Sequence, residues 1–335
     1  MRKAVASTLL LAFAMAIPGS VETVQAKAQN LIRIATLAPR DTDLTRGFTR
    51  IDRALRTATS DSWGIQLYPS GIAGDEKDVI RKMKIGQMDG SIVTSTGLSQ
   101  IVPAVTVMNS PGVISSYAEL ERVQKAMNVE WAQTFDKAGF KLISWGEAGQ
   151  LRYFSKTPIT KPADFKTLRP WVWPESSVMK AIFKAVGATG VPLGVPEVYG
   201  ALQTGMIDSV TASALAVVAL QWHTKMKFVT NETSGVLVGG MIMTNDKWKS
   251  IPDDVRATLE VQIKQNTEGD SKGVRENDKK AFAKLLTRGY TATNYTPDGK
   301  KAIEALETTV RQQLTGRVYP KELLDRVMKI AKQQS

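Results

Sequence analysis

Residues 31–94 of the chain read LIRIATLAPRDTDLTRGFTRIDRALRTATSDSWGIQLYPSGIAGDEKDVIRKMKIGQMDGSIVT, and this stretch decides the fold class. Its pattern predicts three short β-branched strands, at 31–37, 64–68 and 88–94, with an amphipathic helix after each of the first two. Parallel strands need a crossover between them, and a helix usually provides it. The order therefore predicts an α/β fold with a mostly parallel sheet.

Similar patterns continue downstream. They predict helices at 117–137, 176–186 and 197–203 and strands at 141–145, 168–173 and 206–211. A β run at 236–244 is expected to return to the first sheet, and a long helix from Asp253 is expected to cross between two lobes. We expect lobe I to comprise residues 27–149 and 235–270. Lobe II is expected to comprise 150–234 and 271–335, including the C-terminal helices. Several ordered crossings between lobes suit a hinged cleft.

The first 26 residues predict a cleavable signal peptide. Arg2-Lys3 forms a positive start, an apolar run of about 14 residues follows, and Val24-Gln25-Ala26 supplies small residues for cleavage. A membrane anchor is the weaker alternative, because a spanning helix needs about 20 apolar residues. The chain has no Cys, so it is not expected to be a lipoprotein. We expect an exported, soluble protein.

Composition excludes several classes of protein. The 335 residues include 44 Lys and Arg, 32 Asp and Glu, one His and no Cys, with a net charge of +12. Disulfide scaffolds, thiolate metal sites and cysteine nucleophiles are excluded. Basic and acidic residues alternate between 246 and 288, as on a solvated helix, and no nucleic-acid-binding motif accompanies them. Nucleic acid is therefore not an expected partner, whereas attraction to an anionic membrane surface stays open.

No set of catalytic residues is recognisable. His223 is the single histidine, and no HExxH or P-loop pattern occurs. The GxSxG match at 269–273 lies in a polar stretch without the preceding strand that a nucleophile elbow requires. We therefore expect no enzymatic activity, no cofactor and no metal. An accessory role in an envelope export or lipid-handling system remains an alternative function.

Several spaced motifs carry a family resemblance. They are Leu67-Tyr68-Pro69-Ser70, Gly74-Asp75-Glu76, Gly86-Gln87-Met88-Asp89, Gly149 with Arg152, Asp164-Phe165-Lys166, Glu197-Val198-Tyr199 and the 202–208 segment. From about residue 32 to 227 the chain resembles the dicarboxylate-type solute-binding proteins of tripartite ATP-independent periplasmic (TRAP) transporters. The resemblance implies a periplasmic receptor with two α/β lobes and a long lobe-spanning helix. It also implies a small-molecule ligand and a membrane permease with small and large subunits. We expect the receptor to be a monomer.

The departures from the family concern the ligand. The family's carboxylate-binding arginine aligns with Trp171, and its usual asparagine aligns with Ala212. Polar positions near the first and third strands align with Leu37 and Thr94, and an aromatic position aligns with Val195. Arg152, the family's other site arginine, is retained. The resemblance therefore indicates a divergent branch without the family's carboxylate clamp.

With tryptophan in place of arginine, the site loses the hydrogen-bond donors of a guanidinium and gains the apolar face of an indole ring. Desolvating an unpaired carboxylate costs several kcal/mol, whereas burying about 200 Å² of apolar ligand surface gains about 5 kcal/mol before association costs. We therefore predict an amphipathic or largely apolar solute, with Arg152 holding one acidic or polar end. The predicted ligand-binding residues are Leu37, Glu76, Thr94, Arg152, Trp171, Trp173, Val195, Tyr199 and Ala212.

Other interpretations stay open for these residues. The protein is a conventional carboxylate receptor if Arg152 and a repositioned Arg169 hold the ligand. Trp171 and Trp173 point to the same face of a strand, which is also the pattern of core residues. Arg152 has the alternative of a structural ion pair with Glu147 or another carboxylate. Glu76 has the alternative of an acidic helix start, and Tyr199 that of packing its short helix.

Overall fold

The structure of the chain is a computed structural model that describes residues 28–333, apart from the side chains of 266–270. The predicted signal peptide at 1–26 lies outside the described residues. Within the described range, no helix is both long enough and apolar enough to cross a membrane.

The strands and helices alternate along most of the chain. The strands are β1 (Asn30–Thr36), β2 (Trp63–Tyr68), β3 (Gly90–Thr94), β4 (Phe140–Ser155), β5 (Trp171–Val172), β6 (Val191–Pro192), β7 (Ser209–Ala212), β8 (Phe228–Thr230), β9 (Gly235–Thr244) and β10 (Thr291–Thr293). The helices are α1 (Asp43–Ala58), α2 (Glu76–Lys84), α3 (Ser95–Ser99), α4 (Tyr117–Lys137), α5 (Ser177–Ala185), α6 (Val195–Thr204), α7 (Ala214–Ala219), α8 (Asn245–Ser250), α9 (Asp253–Thr287), α10 (Pro297–Leu314) and α11 (Lys321–Ala331). Short 3-10 helices span Pro103–Asn109, Pro162–Thr167 and Trp222–Lys225.

One large sheet connects two lobes. Its strand order is β10-β8-β4-β9-β3-β1-β2, and β7 pairs with β4 off this path. We use "first lobe" for β2, β1, β3, β9 and the helices packed on them, and "second lobe" for β5 to β8, β10, α5, α6 and α7. Strand β4 belongs to both lobes, because residues 140–151 pair with β9 and residues 152–155 pair with β7.

The predicted parallel order is confirmed for the start of the chain. Strand β1 runs parallel to β2 and β3. The run at 236–244 returns to this sheet as predicted, but β9 is antiparallel to both β3 and β4. The sheet is therefore mixed: β1, β2 and β3 are parallel, with a helix in each connection, and β10 also runs parallel to β8.

The first crossover helix illustrates how the sequence produces these elements. Thr42 caps α1 by accepting a hydrogen bond from the amide of Thr45. The apolar residues at helical spacing, Phe48, Ile51 and Leu55, are all buried against β1. This packing fixes the end of β1, which is where the cleft begins.

Helix α9 spans 35 residues and packs against α1 of the first lobe, α7 of the second lobe and β4 between them. The predicted lobe-spanning helix is thus confirmed. One continuous helix therefore contacts both lobes.

Three predicted strands differ from the observed ones. The predicted strand at 168–173 is ordered as a strand only at Trp171–Val172, because Pro170 lacks the amide that a ladder requires. The predicted strand at 206–211 begins later, after Gly205 ends α6 in a left-handed conformation. The predicted strand at 141–145 continues to Ser155 through register shifts, which pattern alone did not indicate.

Candidate functional site

A cavity of about 420 Å³ lies between the two lobes. Its wall includes residues of α1, β3 and β9 from the first lobe, residues of α5, β7 and α7 from the second, and residues of β4 and α9 between them. Seven of the nine predicted ligand-binding residues line it: Leu37, Glu76, Thr94, Trp171, Trp173, Val195 and Ala212. The structure brings these residues together at the position expected for a cleft.

The two strand tryptophans form an aromatic wall of this cavity. Trp171 and Trp173 are 3% and 6% exposed, and their ring centroids lie 5.7 Å apart. The indole nitrogen of Trp171 donates to the carbonyl of Leu193 at 2.8 Å, and that of Trp173 donates to Asp75 Oδ2 at 3.2 Å. Because protein groups already accept both N–H groups, the rings have only apolar surface to present to the cavity.

The core and cleft interpretations of these tryptophans are compatible. Both rings belong to a buried cluster of the second lobe that also contains Val195, Val198 and Leu202. A residue of such a cluster can still line the cavity with one ring face. The packing holds the rings in place, so the apolar wall is rigid.

Arg152 does not lie on the cavity wall. Its Nη1 donates to the backbone carbonyls of Thr230 (3.2 Å) and Asn231, and its guanidinium stacks on Phe282 of α9 with 4.1 Å between Cζ and the ring centroid. Burial lowers the pKa of this guanidinium. Arg152 therefore ties β4 to the end of β8 and to α9 in this structure.

The alternative ion pair of Arg152 with Glu147 is wrong. Glu147 Oε1 accepts a charge-assisted hydrogen bond from Arg275 Nε at 2.5 Å, and Oε2 accepts one from Arg275 Nη2 at 3.1 Å. Arg275 also binds Glu121 and stacks on Tyr117. The arginine of α9, not that of β4, thus neutralises this carboxylate of the cavity wall.

Two further residues from the sequence analysis lie off the cavity. Tyr199 packs against the apolar cluster of the second lobe, and Lys225 Nζ lies 5.3 Å from its ring centroid. Arg169 donates through its backbone N and its Nε to the carboxylate of Asp208, at 2.7 and 3.3 Å. A repositioned Arg169 therefore does not supply the missing clamp in this structure.

Glu76 lines the cavity but is committed to protein partners. Its carboxylate accepts hydrogen bonds from Thr94 N (2.6 Å), Thr94 Oγ1 (2.9 Å) and Gly97 N (2.7 Å). Burial raises the pKa of Glu76 to about 8, against the opposing effect of these donors. The residue anchors the start of α3 beneath β3, so its carboxylate is a structural part of the wall.

Asp75 is a contact between the lobes that the sequence analysis did not identify. Its Oδ1 accepts from the amide of Glu76, while Oδ2 accepts from Trp173 Nε1 and, at 2.8 Å, from Val195 N. Burial raises the pKa of Asp75. The sequence indicated an acidic helix start, but only the fold shows that the second oxygen reaches the other lobe.

Asp278 holds the base of the cleft together. Its carboxylate, on α9, accepts from Gln150 N of β4 at 3.0 Å and from Leu215 N of α7 at 2.9 Å. The residue is 4% exposed, and burial raises the pKa of its carboxyl group. One side chain thus joins three elements where the lobes meet.

We expect the substitution Asp278→Ala to reduce the free energy of unfolding by about 2–4 kcal/mol, because it leaves two buried amides without acceptors. Urea denaturation followed by tryptophan fluorescence measures the change. The control Glu276→Ala removes an exposed carboxylate from the same helix and should cost less than about 0.5 kcal/mol. Equal effects of the two substitutions would contradict the structural role of Asp278.

The charged side chains among the described residues of the cavity wall are all acidic. Its described lining residues include no Lys, Arg or His, whereas four carboxylates line it: Asp43, Glu76, Glu147 and Glu307. Aliphatic and aromatic side chains occupy much of the remaining wall. The residues described in 28–333 also contain no cluster of His, Asp and Glu that could hold a metal ion.

Two α/β lobes that share a long helix and enclose a cavity define a solute-binding protein. The sequence model of the DctP family, described as bacterial extracellular solute-binding protein family 7, matches residues 34–315. Because this range covers most of the chain, the protein belongs to that family. Its members are periplasmic receptors that bind small molecules and work with membrane permease subunits. The protein is accordingly a receptor of this class and not an enzyme.

Individual relatives agree with this assignment. The C4-dicarboxylate-binding periplasmic protein DctP of Rhodobacter capsulatus is 23% identical over 314 residues, which cover 92% of this chain and 91% of the relative. A TRAP solute-binding protein of Shewanella oneidensis with bound succinate superposes with a TM-score of 0.84 at 16% identity, covering 91% of this chain and 100% of that one. The sugar-acid-binding protein DctPAm of Advenella mimigardefordensis, in complex with galactonate, gives a TM-score of 0.84 at 14% identity, covering 92% and 99%. At these identities the structures establish the two-lobed fold.

Proposed function

We propose that this protein is the extracytoplasmic receptor of a TRAP-type transporter for an amphipathic or largely apolar small solute, which it captures in the cleft between its lobes. One observation carries the proposal: none of the described residues that line the cavity is cationic, and Trp171 and Trp173 form its aromatic wall. An organic acid would enter this cavity without a counter-ion.

The energies favour the same assignment. A carboxylate moved from water into a cavity whose described lining residues include no cation loses several kcal/mol of hydration. An apolar body that buries about 200 Å² on the tryptophans gains about 5 kcal/mol before association costs. The two classes of ligand are therefore separated by a large difference in affinity.

The contacts of Asp75 indicate how capture proceeds. Its bonds to Trp173 and Val195 join α2 of the first lobe to the tryptophan wall and α6 of the second. Lys77 Nζ also lies 3.2 Å from Glu175 Oε1 across the same opening. Ligand binding selects the closed arrangement to the extent that the solute contacts both lobes at once.

Other parts of the proposal follow from family membership and the sheet. We propose that the lobes comprise 27–149 with 235–270 and 150–234 with 271–335, and that they meet along β4. The signal peptide is proposed to end at Ala26, and the receptor is proposed to act as a periplasmic monomer that delivers its solute to the small and large permease subunits. Exposed lysines and arginines are proposed to attract it to the anionic membrane surface.

A conventional carboxylate receptor is the second candidate. The relatives named above bind C4-dicarboxylates, succinate and galactonate. Arg152 Nε is buried without a hydrogen-bond partner, so its N–H is free to donate. For Arg152 to reach a ligand, its guanidinium has to leave the carbonyls of Thr230 and Asn231 and the ring of Phe282.

Native mass spectrometry of the mature protein purified from its own periplasm tests the proposal. We expect an amphipathic or apolar molecule to co-purify with the protein and to be identified after denaturing extraction. We also expect the protein mass to correspond to cleavage of the signal peptide after Ala26. If the wild-type protein carries a small carboxylate and the Arg152→Ala variant does not, the result would support a conventional carboxylate receptor and contradict the proposal. A cleft that stays empty and binds neither class of solute would favour the accessory role in the envelope.

A further inference from the structure

The cavity is also lined by a second group of mostly polar residues. We call this part the inner pocket and define it by Asn109, Tyr153, Tyr295, Leu306 and Glu307, all of which line the cavity. The two tyrosines are less than 9% exposed. No sequence motif indicated these residues, because they come from four separate segments of the chain.

Asn109 supplies a free acceptor. Its Nδ2 donates to the carbonyl of Val236 at 3.3 Å, which fixes the orientation of the amide. Its Oδ1 is buried and has no hydrogen-bond partner. A buried acceptor without a donor is costly, and a ligand that donates a hydrogen bond removes that cost.

Glu307 is the second acceptor of the inner pocket. No hydrogen bond reaches its carboxylate from the described residues, and the nearest cation, Arg311 Nη1, lies 4.0 Å from Oε2. That Nη1 donates to the carbonyl of Pro111 at 2.6 Å, so it is already engaged. Gly112 gives the carboxylate room, because a Cβ at that position would lie 2.5 Å from Oε2.

The other carboxylates of the cavity wall differ from Glu307. Asp43 accepts from Arg46 and Asn277, and Glu147 is paired with Arg275. Glu76 accepts from Thr94 and Gly97, as described above. Among the carboxylates of the described wall, Glu307 is thus the one to which no protein group donates a hydrogen bond. Arg311 nearby offsets its charge, which favours a neutral donor over a cation.

We propose that the inner pocket binds an uncharged, hydrogen-bond-donating end of the solute, of which a hydroxyl group is the simplest case, while the apolar body of the solute lies on Trp171. This inference rests on the proposed function and adds the chemistry and direction of the ligand. A hydroxyl donates to Asn109 Oδ1 or to the Glu307 carboxylate. A carboxylate end is repelled by both acceptors.

Titration calorimetry with two probes of equal chain length, decan-1-ol and decanoate, tests the proposal. We expect the wild-type protein to bind decan-1-ol at least tenfold more tightly than decanoate. Glu307→Gln keeps an acceptor oxygen but adds donors and removes the charge, so the preference should fall below threefold. Asn109→Leu should weaken decan-1-ol binding about fivefold.

Glu304→Gln is the matched control, because it removes a carboxylate from the exposed side of the same helix α10. It should preserve the tenfold preference. Equal binding of the two probes by the wild-type protein, or identical behaviour of the Glu304 and Glu307 variants, would overturn the inner-pocket proposal. In that case, loss of decan-1-ol binding in Trp171→Arg would still support the apolar cleft. Failure of the wild-type protein to bind either probe would contradict the proposed function and this inference together.

Discussion

The substitution Trp171→Arg is expected to weaken binding of decan-1-ol at least 100-fold and to strengthen binding of decanoate at least tenfold. The new guanidinium removes the indole face from the cavity and places an unpaired cation where the ligand's apolar body would lie. A 100-fold loss corresponds to about 2.7 kcal/mol, less than the gain from burying about 200 Å² of apolar surface. Titration calorimetry with decan-1-ol and with decanoate measures both changes in affinity.

Controls separate this effect from a loss of folding. Trp171→Leu keeps an apolar wall and loses the hydrogen bond to Leu193, so its affinity for decan-1-ol should fall less than tenfold. Trp248→Arg introduces the same charge on α8, whose tryptophan does not line the cavity, and should leave the affinity unchanged. Thermal unfolding confirms that each variant is folded. Unchanged decan-1-ol binding in a folded Trp171→Arg variant would contradict the assignment of Trp171 to the ligand site.

The substitution Glu76→Ala is expected to lower the free energy of unfolding by about 3–5 kcal/mol, measured by urea denaturation. It deletes the acceptor of two amides and one hydroxyl beneath β3. Water does not replace this acceptor, because Glu76 is only 3% exposed. Glu76→Gln keeps the size of the side chain and one acceptor oxygen. It should therefore retain most of the stability at pH 5.

The protonation state of Glu76 can be determined by comparing how the free energy of unfolding of the wild-type protein and of Glu76→Gln changes with pH. Burial raises the pKa of Glu76 from 4.5 to about 8, so between these values the folded protein holds a proton that the unfolded chain releases. Stability from this group is therefore present at low pH and is lost as the pH rises through 8. At about 1.4 kcal/mol per pH unit, the wild-type protein should lose about 3–5 kcal/mol relative to Glu76→Gln between pH 5 and pH 9. A constant difference between the two proteins from pH 5 to pH 9 would show that the three donors hold Glu76 ionised.

The sequence predicted most of the fold because local signals agreed with it. The spacing of Phe48, Ile51 and Leu55 and the cap at Thr42 are properties of one helix, and α1 formed as expected. The course of β4 was not predictable in the same way. Its last four residues are ordered by pairing with β7 and β8, and that pairing depends on residues more than 50 positions away.

The candidate site was predictable where a family motif aligned and was missed where contacts are long-range. Alignment led to Trp171, Ala212 and Leu37, which line the cavity, but it gave no information on which way Arg152 points. The role of Asp75 depends on a bond across 120 positions to Val195. Nothing in the local sequence indicates such a partner.

The single strand β4 also has a mechanical consequence. It runs for 16 residues through both lobes, with register shifts between Leu142 and Ser144 and between Glu147 and Gln150. Separating the lobes therefore has to bend a hydrogen-bonded strand at these irregular points, where a ladder is weakest, instead of turning about a loose linker. A stiffer strand slows this opening of the lobes and thereby slows the escape of a bound solute. Under the proposed lobe closure, the residence time of a bound solute therefore depends on the backbone of β4 as well as on the ligand's contacts.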